Sequence, residues 1–425
     1  MSILIKNGRV IDPFQEIDDY QEILIEKDKI QGLYPKGKGP KSAKKVIDAS
    51  GCIVIPGLVD MHTHLREPGF EYKETIATGT MAAMKGGFTS VCCMANTNPV
   101  NDTASVTEFI IKKALTDGAC TVYPVGAVTK GLKGEELAEL GALKKAGCVA
   151  FSDDGKPVSN SLIMRRALEY SKIFDAPVIS HCEDSELSEG GVVNEGFVST
   201  ILGLKGIPKA AEDIMVARDI LLCELTGGRL HIAHVSTEGS VKLIRDAKAR
   251  GINITAETCP HYFCLTDEAL KNYSTNLKVN PPIRTAKDVE AIKLALKDGT
   301  IDVIATDHAP HHANDKNMEF DLAASGISGL ETALALGLQL VEQGVLNLKQ
   351  LIMKMSLTPS KIIRISSGTL MANADADITV INIEKAYKVA SSGFLSKGKN
   401  TPFDKWHLKG VVEKTIHMGK IYEWG

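Results

Sequence analysis

Between residues 57 and 310 the chain alternates short apolar runs with longer stretches whose apolar positions recur every three or four residues. Near-continuous apolar runs read as strands buried on both faces, and the longer stretches as amphipathic helices. The strands fall at 57–64, 89–96, 121–129, 147–154, 177–184, 230–236, 252–261 and 302–310. Helices between them include "ETIATGTMAAMK", "SVTEFIIKKALTDG", "AEDIMVARDILLCEL" and "KDVEAIKLALKDG". Glycines commonly follow, as helix C-terminal stops should. Eight strands, each with a helix behind it, predict an α/β protein built on a parallel (β/α)8 TIM-like barrel. An open doubly wound sheet is the alternative, but no glycine-rich dinucleotide fingerprint supports it.

At both ends the rhythm changes. Residues 1–55 hold β-like runs ("ILIKNGRVID", "EILIEKDKIQGLY", "KKVIDASGCIVI") broken by turn residues and by the polar loop "YPKGKGPKSAKK". After a further helical stretch, "NLKQLIMKMSLTPSKIIRI", similar runs return as "ADITVINI", "YKVAS" and "VVEKTIHMGKIYEW". The expected organisation is a barrel over 56–365, flanked by one small β domain assembled from residues 1–55 and 366–425.

Composition narrows the function classes. With 44% hydrophobic and 24% charged residues, the 425-residue chain has the make-up of an ordinary globular protein. A formal net charge of −3 gives no reason to expect nucleic acid or an anionic membrane as partner. No apolar run approaches the roughly 18 residues of a membrane span, and the start lacks a signal-like apolar core. Nine scattered cysteines without a CxxC pair suit a reducing compartment, so the expected location is the cytoplasm.

The strand ends carry the chemistry. In such a barrel the reactive face lies where the strands end. There the chain places His62 and His64, then Asp153 and Asp154, then His181, His234, and finally Asp307 with His308. Residues two apart on a strand share a face, so His62 and His64 point the same way. Taken singly, each has an ordinary structural reading: a hydrogen-bonded histidine, or an Asp-Gly turn in "SDDG". Taken together, imidazoles and carboxylates from five strands converge on one mouth, a donor set suited to zinc or a similar divalent ion. His231 reads as structural. Cys259, His261 and Cys264 match no standard zinc spacing.

"VDMHTHLREPG", "MANTNP", "FSDDG", "SHCED", "HIAHVS", "NPPIR" and "ATDHAPH", with the closing "NTPF" segment, together resemble bacterial class I dihydroorotases of the amidohydrolase superfamily. The resemblance runs over essentially the whole chain. It implies that His62, His64 and Asp307 hold one metal, that His181 and His234 hold a second, and that Asp154 bridges them. Many superfamily members use a carbamylated lysine as the bridge; here the fourth strand offers "FSDDG" and no lysine. One or two zinc ions per chain fit this pattern. Two dications set against Asp154, Asp307 and one hydroxide leave a single net positive charge, which suits an anionic substrate and supports the pair.

The same resemblance implies the reaction: reversible closure of N-carbamoyl-L-aspartate to L-dihydroorotate with loss of water, in pyrimidine biosynthesis. Asp307 would be the proton carrier. Arg66, two residues past the histidine pair, can grip the substrate carboxylate through two parallel hydrogen bonds; its structural alternative is an ion pair with Glu67 or Glu71. By the family pattern Asn96 and His311 join Arg66 around that carboxylate, His64 also faces substrate, and Asn280 with the backbone at Ser325-Gly326 contacts the ring. Ala95, Tyr262 and the missing aromatic in "AASGISG" depart from many relatives. Other cyclic-amide hydrolases would keep the metal ligands and lose the carboxylate grip. A non-catalytic companion of aspartate transcarbamoylase would be expected to lose ligands. A homodimer and a transcarbamoylase association are further expectations from the resemblance.

Overall fold

A computed structural model describes residues 2–40 and 42–424. Eight parallel strands follow one another in chain order round a barrel: Leu58–Thr63, Phe88–Cys93, Thr121–Gly126, Ala150–Phe151, Val178–Ser180, Leu230–Ile232, Ile254–Thr258 and Val303–Ile304. The ring closes where His308 bridges Thr63 and the His64 amide donates to the His308 carbonyl at 2.8 Å. Seven lie inside the stretches that apolar patterning marks out and the second begins one residue ahead of its stretch, at Phe88, but several are far shorter. The fourth keeps only two residues of strand because Ser152, Asp153 and Asp154 are already turning into the mouth.

Two apolar layers hold the barrel. Val59, Met61, Cys92, Met94, Val125, Ile179, Ala233 and Val303 fill its interior, with Ile362 and Ile363 among them. Leu58, Phe88, Phe151 and Val178 pack outward against helices such as Ile76–Lys85, Ser161–Ser171 and Ala210–Thr226. The helical stretch expected at 347–365 runs as Leu348–Ile352, a π turn over Met353–Leu357 and Thr358–Ile363, with helical backbone at both junctions. Pro359 lacks the amide that a regular ladder needs, and the π turn lies directly before it.

Both chain ends build the second sheet. Its order is 420–423, 407–417, 378–388, 53–56, 9–12, 17–26, 2–6 and 45–48, with 29–35 beside 17–26. The two ends meet where Ile378–Lys388 runs antiparallel to Ile53–Pro56. "YKVAS" is not a strand of its own: Tyr387 and Lys388 finish the strand begun at Ile378. Ile5, Val10, Ile23, Val54, Ile378 and Ile416 form this sheet's core. The strand His407–His417 also lies on the barrel, and Gly410 (φ +97°) is needed there, since a Cβ would come 2.2 Å from Leu338 Cδ1. Among the described residues no helix is long and apolar enough to cross a membrane. All nine cysteines are free.

Candidate metal and substrate site

At the C-terminal mouth of the barrel the chain makes abrupt changes of direction. Pairing with the second strand slips between Asp60 and Thr63, a bulge on the first strand. Bulges re-aim side chains. Val59 and Met61 can therefore fill the interior while His62 and His64 both face the mouth. Arg66 (φ 63°), His234 (φ 35°) and Asp307 (φ 46°) adopt left-handed backbone. That conformation costs a non-glycine residue about 1 kcal/mol or more, and it persists only where the surroundings impose it. Three such residues in one mouth mark a constrained site.

Asp154 lies at its centre. Its Oδ2 is 3.3 Å from Nε2 of both His62 and His64. Its Oδ1 is 3.6 Å from His181 Nδ1 and 3.4 Å from His234 Nε2. Asp307 Oδ1 stands 3.1 Å from His64 Nε2 and 3.4 Å from His62 Nε2. Asp153, which the sequence leaves as a rival for this place, turns away. It accepts from the Val128 and Thr129 amides at 2.8 and 2.9 Å and from the Thr129 hydroxyl.

Three of the four imidazoles are fixed from behind; the motif reading missed Glu257 and Glu183, and missed this second role of Asn96. Glu257 Oε1 takes His62 Nδ1 at 2.6 Å and Oε2 takes the structural His231 at 3.2 Å. Asn96 Oδ1 takes His64 Nδ1 at 2.9 Å, so Asn96 orients a ligand as well as facing the cavity. Glu183 Oε2 accepts from His181 Nε2 at 3.1 Å and from Asn280 Nδ2 at 2.9 Å. His181 thus turns Nδ1 inward while His62 and His64 turn Nε2 inward. Such partners set the tautomer and sharpen the ligand. A glutamate inside an apolar strand, as in "INITAETC", was the available signal for Glu257, because a buried carboxylate needs a partner.

The donors fit a divalent metal. Two triads, His62–His64–Asp154 and Asp154–His181–His234, each keep their ligand atoms within 4.8 Å and share Asp154. Two atoms aimed at the centre, His62 Nε2 and Asp154 Oδ1, are buried without a hydrogen-bond partner. Burial pushes the Asp154 and Asp307 carboxyls up, yet the facing imidazoles outweigh it and hold both below the usual carboxylate range. Burial pushes His62 and His181 down, and the facing carboxylates together more than offset it: Asp154, Asp307 and Glu257 for His62, Asp154 and Glu183 for His181. The buried carboxylates call for positive charge, which cations supply without protonating the imidazoles. Glu257→Gln is expected to weaken metal affinity about 10- to 100-fold, read by competition with a chromogenic chelator; unchanged affinity would remove Glu257 from this role.

Above the metal donors lies a cavity of about 250 Å3. His64, Arg66, Asn96, Asp154, His181, His234, Asn280, Asp307, His311, Ser325 and Gly326 all line it, and His62 lies beneath. Arg66 pairs with neither Glu67 nor Glu71: its Nε donates to the Pro310 carbonyl at 3.3 Å and its Nη2 is 3.3 Å from His311 Nε2. Burial, with Arg66, Lys73 and Lys316 nearby, pushes His311 down to about 2. His311 is therefore neutral, donating to Ser325 O at 2.9 Å and accepting from Lys73 Nζ at 3.3 Å. This wall is cationic, with a guanidinium unpaired by any carboxylate among the described residues. The 311–325 segment is organised by the buried Lys316, whose Nζ donates to the Ala324 and Gly326 carbonyls at 2.7 and 3.2 Å.

Comparison with known proteins agrees with this geometry. Residues 51–240 match the family model described as dihydro-orotase-like. The dihydroorotase of Syntrophus aciditrophicus is 57% identical over 421 residues, 99% of each chain. That of Geobacter metallireducens is 58% identical over 423 residues, again 99% of each. Among solved structures, the L-hydantoinase of Arthrobacter aurescens superposes with a TM-score of 0.89 at 24% identity, covering 99% of this chain and 95% of its own. The dihydropyrimidinase of Brevibacillus agri NCHU1002 gives 0.86 at 23%, with the same coverage. At that identity the likeness is one of fold. With a metal-ligand mouth on an amidohydrolase barrel and full-length relatives above half identity, this chain belongs to the dihydroorotase family.

Proposed function

We propose that the chain is a class I dihydroorotase that interconverts L-dihydroorotate and N-carbamoyl-L-aspartate on a pair of zinc ions. The observation that carries the reading is the pairing of two Asp154-sharing metal triads with an unpaired arginine across one small cavity. His62, His64 and Asp307 would hold one ion, His181 and His234 the other, with Asp154 between them. When bound, such ions polarise a carbonyl and lower the pKa of water from about 15.7 towards 7.

The chain's own groups supply the rest. Arg66 takes the substrate carboxylate, with neutral His311 and Asn96 beside it. Asn280, held by Glu183, and the Ser325-Gly326 backbone face the ring. Asp307, kept ionised by its imidazole neighbours, accepts the proton of the attacking water at its carboxylate and delivers it to the leaving ring nitrogen. In the reverse direction it takes a proton from the ureido nitrogen as the ring closes.

The test is turnover by zinc-replete protein of L-dihydroorotate and N-carbamoyl-L-aspartate, with dihydrouracil, hydantoin and allantoin as controls. Activity on the first two alone is expected. Activity on a control instead would overturn the carboxylate assignment. Metal analysis is expected to return two zinc ions per chain, falling to one in His181→Ala; one in both would remove the second site. Cytoplasmic location, homodimerisation and transcarbamoylase association belong to the same proposal. Ile214, Leu221 and Leu225, exposed along one face of the helix Ala210–Thr226, offer an apolar contact surface for assembly, which light scattering would detect.

A further inference from the structure

The "NTPF" motif finds no role in the chemistry above, yet its first residue reaches the cavity wall from the second domain. After the strand Ile378–Lys388 the chain leaves the terminal sheet and crosses to the barrel mouth before returning at His407. Along this strap the Ser396 hydroxyl donates to Glu74, whose Oε2 also lies 3.4 Å from His308 Nε2. At Gly398 a Cβ would come 2.5 Å from Pro310 Cβ, so only glycine allows the approach.

Asn400 then enters between two loops and is almost wholly buried. Its Oδ1 accepts from the His311 amide at 2.9 Å and from the Ser328 hydroxyl at 3.0 Å. Its Nδ2 donates to the Ala309 carbonyl at 3.1 Å and the Gly326 carbonyl at 2.9 Å. Its own carbonyl accepts from the Ser328 amide at 2.8 Å. The amide orientation is fixed by its neighbours: carbonyls on one side require donors, and an N–H on the other requires an acceptor. One side chain thereby joins the loop carrying His311 to the loop carrying Gly326. Few residues can do this. Aspartate of the same shape would set carboxylate lone pairs against two carbonyl oxygens.

We propose that Asn400 is a positioning residue for substrate, fixing the separation of the His311 and Gly326 loops so that the Arg66 side of the cavity fits a carboxylate. The proposal rests on the substrate reading given above. It places a specificity determinant of the barrel in the C-terminal domain.

The test compares Asn400→Asp with Thr401→Ala in the zinc-replete full chain. Thr401 lies on the same strap and its hydroxyl accepts only from the Phe403 amide, so it controls for loosening of the strap. Asn400→Asp is expected to raise KM for L-dihydroorotate about tenfold, the equivalent of one lost hydrogen bond at the upper end of its usual range. Expected alongside are kcat within about threefold of wild type and unchanged zinc content, with Thr401→Ala unchanged in KM. In an Arg66→Ala background the further effect of Asn400→Asp should vanish, because both act through one carboxylate. A merely structural role would add in full. If Asn400→Asp does not fold, Ser328→Ala carries the test, with about a threefold KM rise that disappears in the Arg66→Ala background.

An unchanged KM, or full additivity with Arg66→Ala, overturns the role of Asn400 while leaving the enzyme assignment standing. Failure of the wild-type protein to turn over L-dihydroorotate overturns the assignment itself, and this role with it.

Discussion

Asp307→Asn is expected to leave less than about a thousandth of wild-type turnover, the scale set by losing a positioned proton-transfer group. The carboxylate stands within 3.1 Å of His64 Nε2 and 3.4 Å of His62 Nε2. An amide of the same shape cannot take a proton, and it would set an NH2 against imidazole nitrogens that should accept a cation. The measurement is kcat at saturating L-dihydroorotate, with zinc content and thermal unfolding recorded on the same sample. Loss of turnover with zinc retained identifies the proton-carrying role. Loss of both identifies the ligand role as dominant. Residual kcat within tenfold of wild type would remove Asp307 from the chemistry.

Arg66→Ala should lower kcat/KM for L-dihydroorotate by at least about 100-fold. Hydrogen bonds to charged groups contribute roughly 1.5–3 kcal/mol each, and two parallel ones are at stake. Zinc content should not change, because the guanidinium contacts only the Pro310 carbonyl and the His311 ring. Arg66→Lys is expected to recover only part of the loss, since a single ammonium cannot make the planar paired contact. Unaltered kcat/KM in Arg66→Ala would show that the carboxylate binds elsewhere and would reopen the choice among cyclic-amide hydrolases. The loss must also be specific. A carboxylate-free substrate, if turned over at all, should be insensitive to the change.

The amino-acid sequence by itself determined the barrel and the end at which its chemistry sits. Strands buried on both faces are written as continuous apolar runs, so a histidine or aspartate at the end of such a run stands out locally. That is why His62, His64, His181, His234 and Asp307 stand out strand by strand and point to a metal once taken together, and why the terminal β runs announce a second domain. Tertiary structure decided what local pattern cannot. Two adjacent aspartates on one strand are equivalent until their partners are known, and the Val128 and Thr129 groups that claim Asp153 come from a different strand's loop. A bulge, not simple alternation, lets Met61 and His62 serve core and mouth together. Glu257 and Asn96 act through imidazoles 195 and 32 residues away, Glu183 joins its near neighbour His181 to the distant Asn280, and Asn400 meets His311 across 89 residues. Such pairings depend on chain closure in three dimensions, and spacing along one chain carries no record of them.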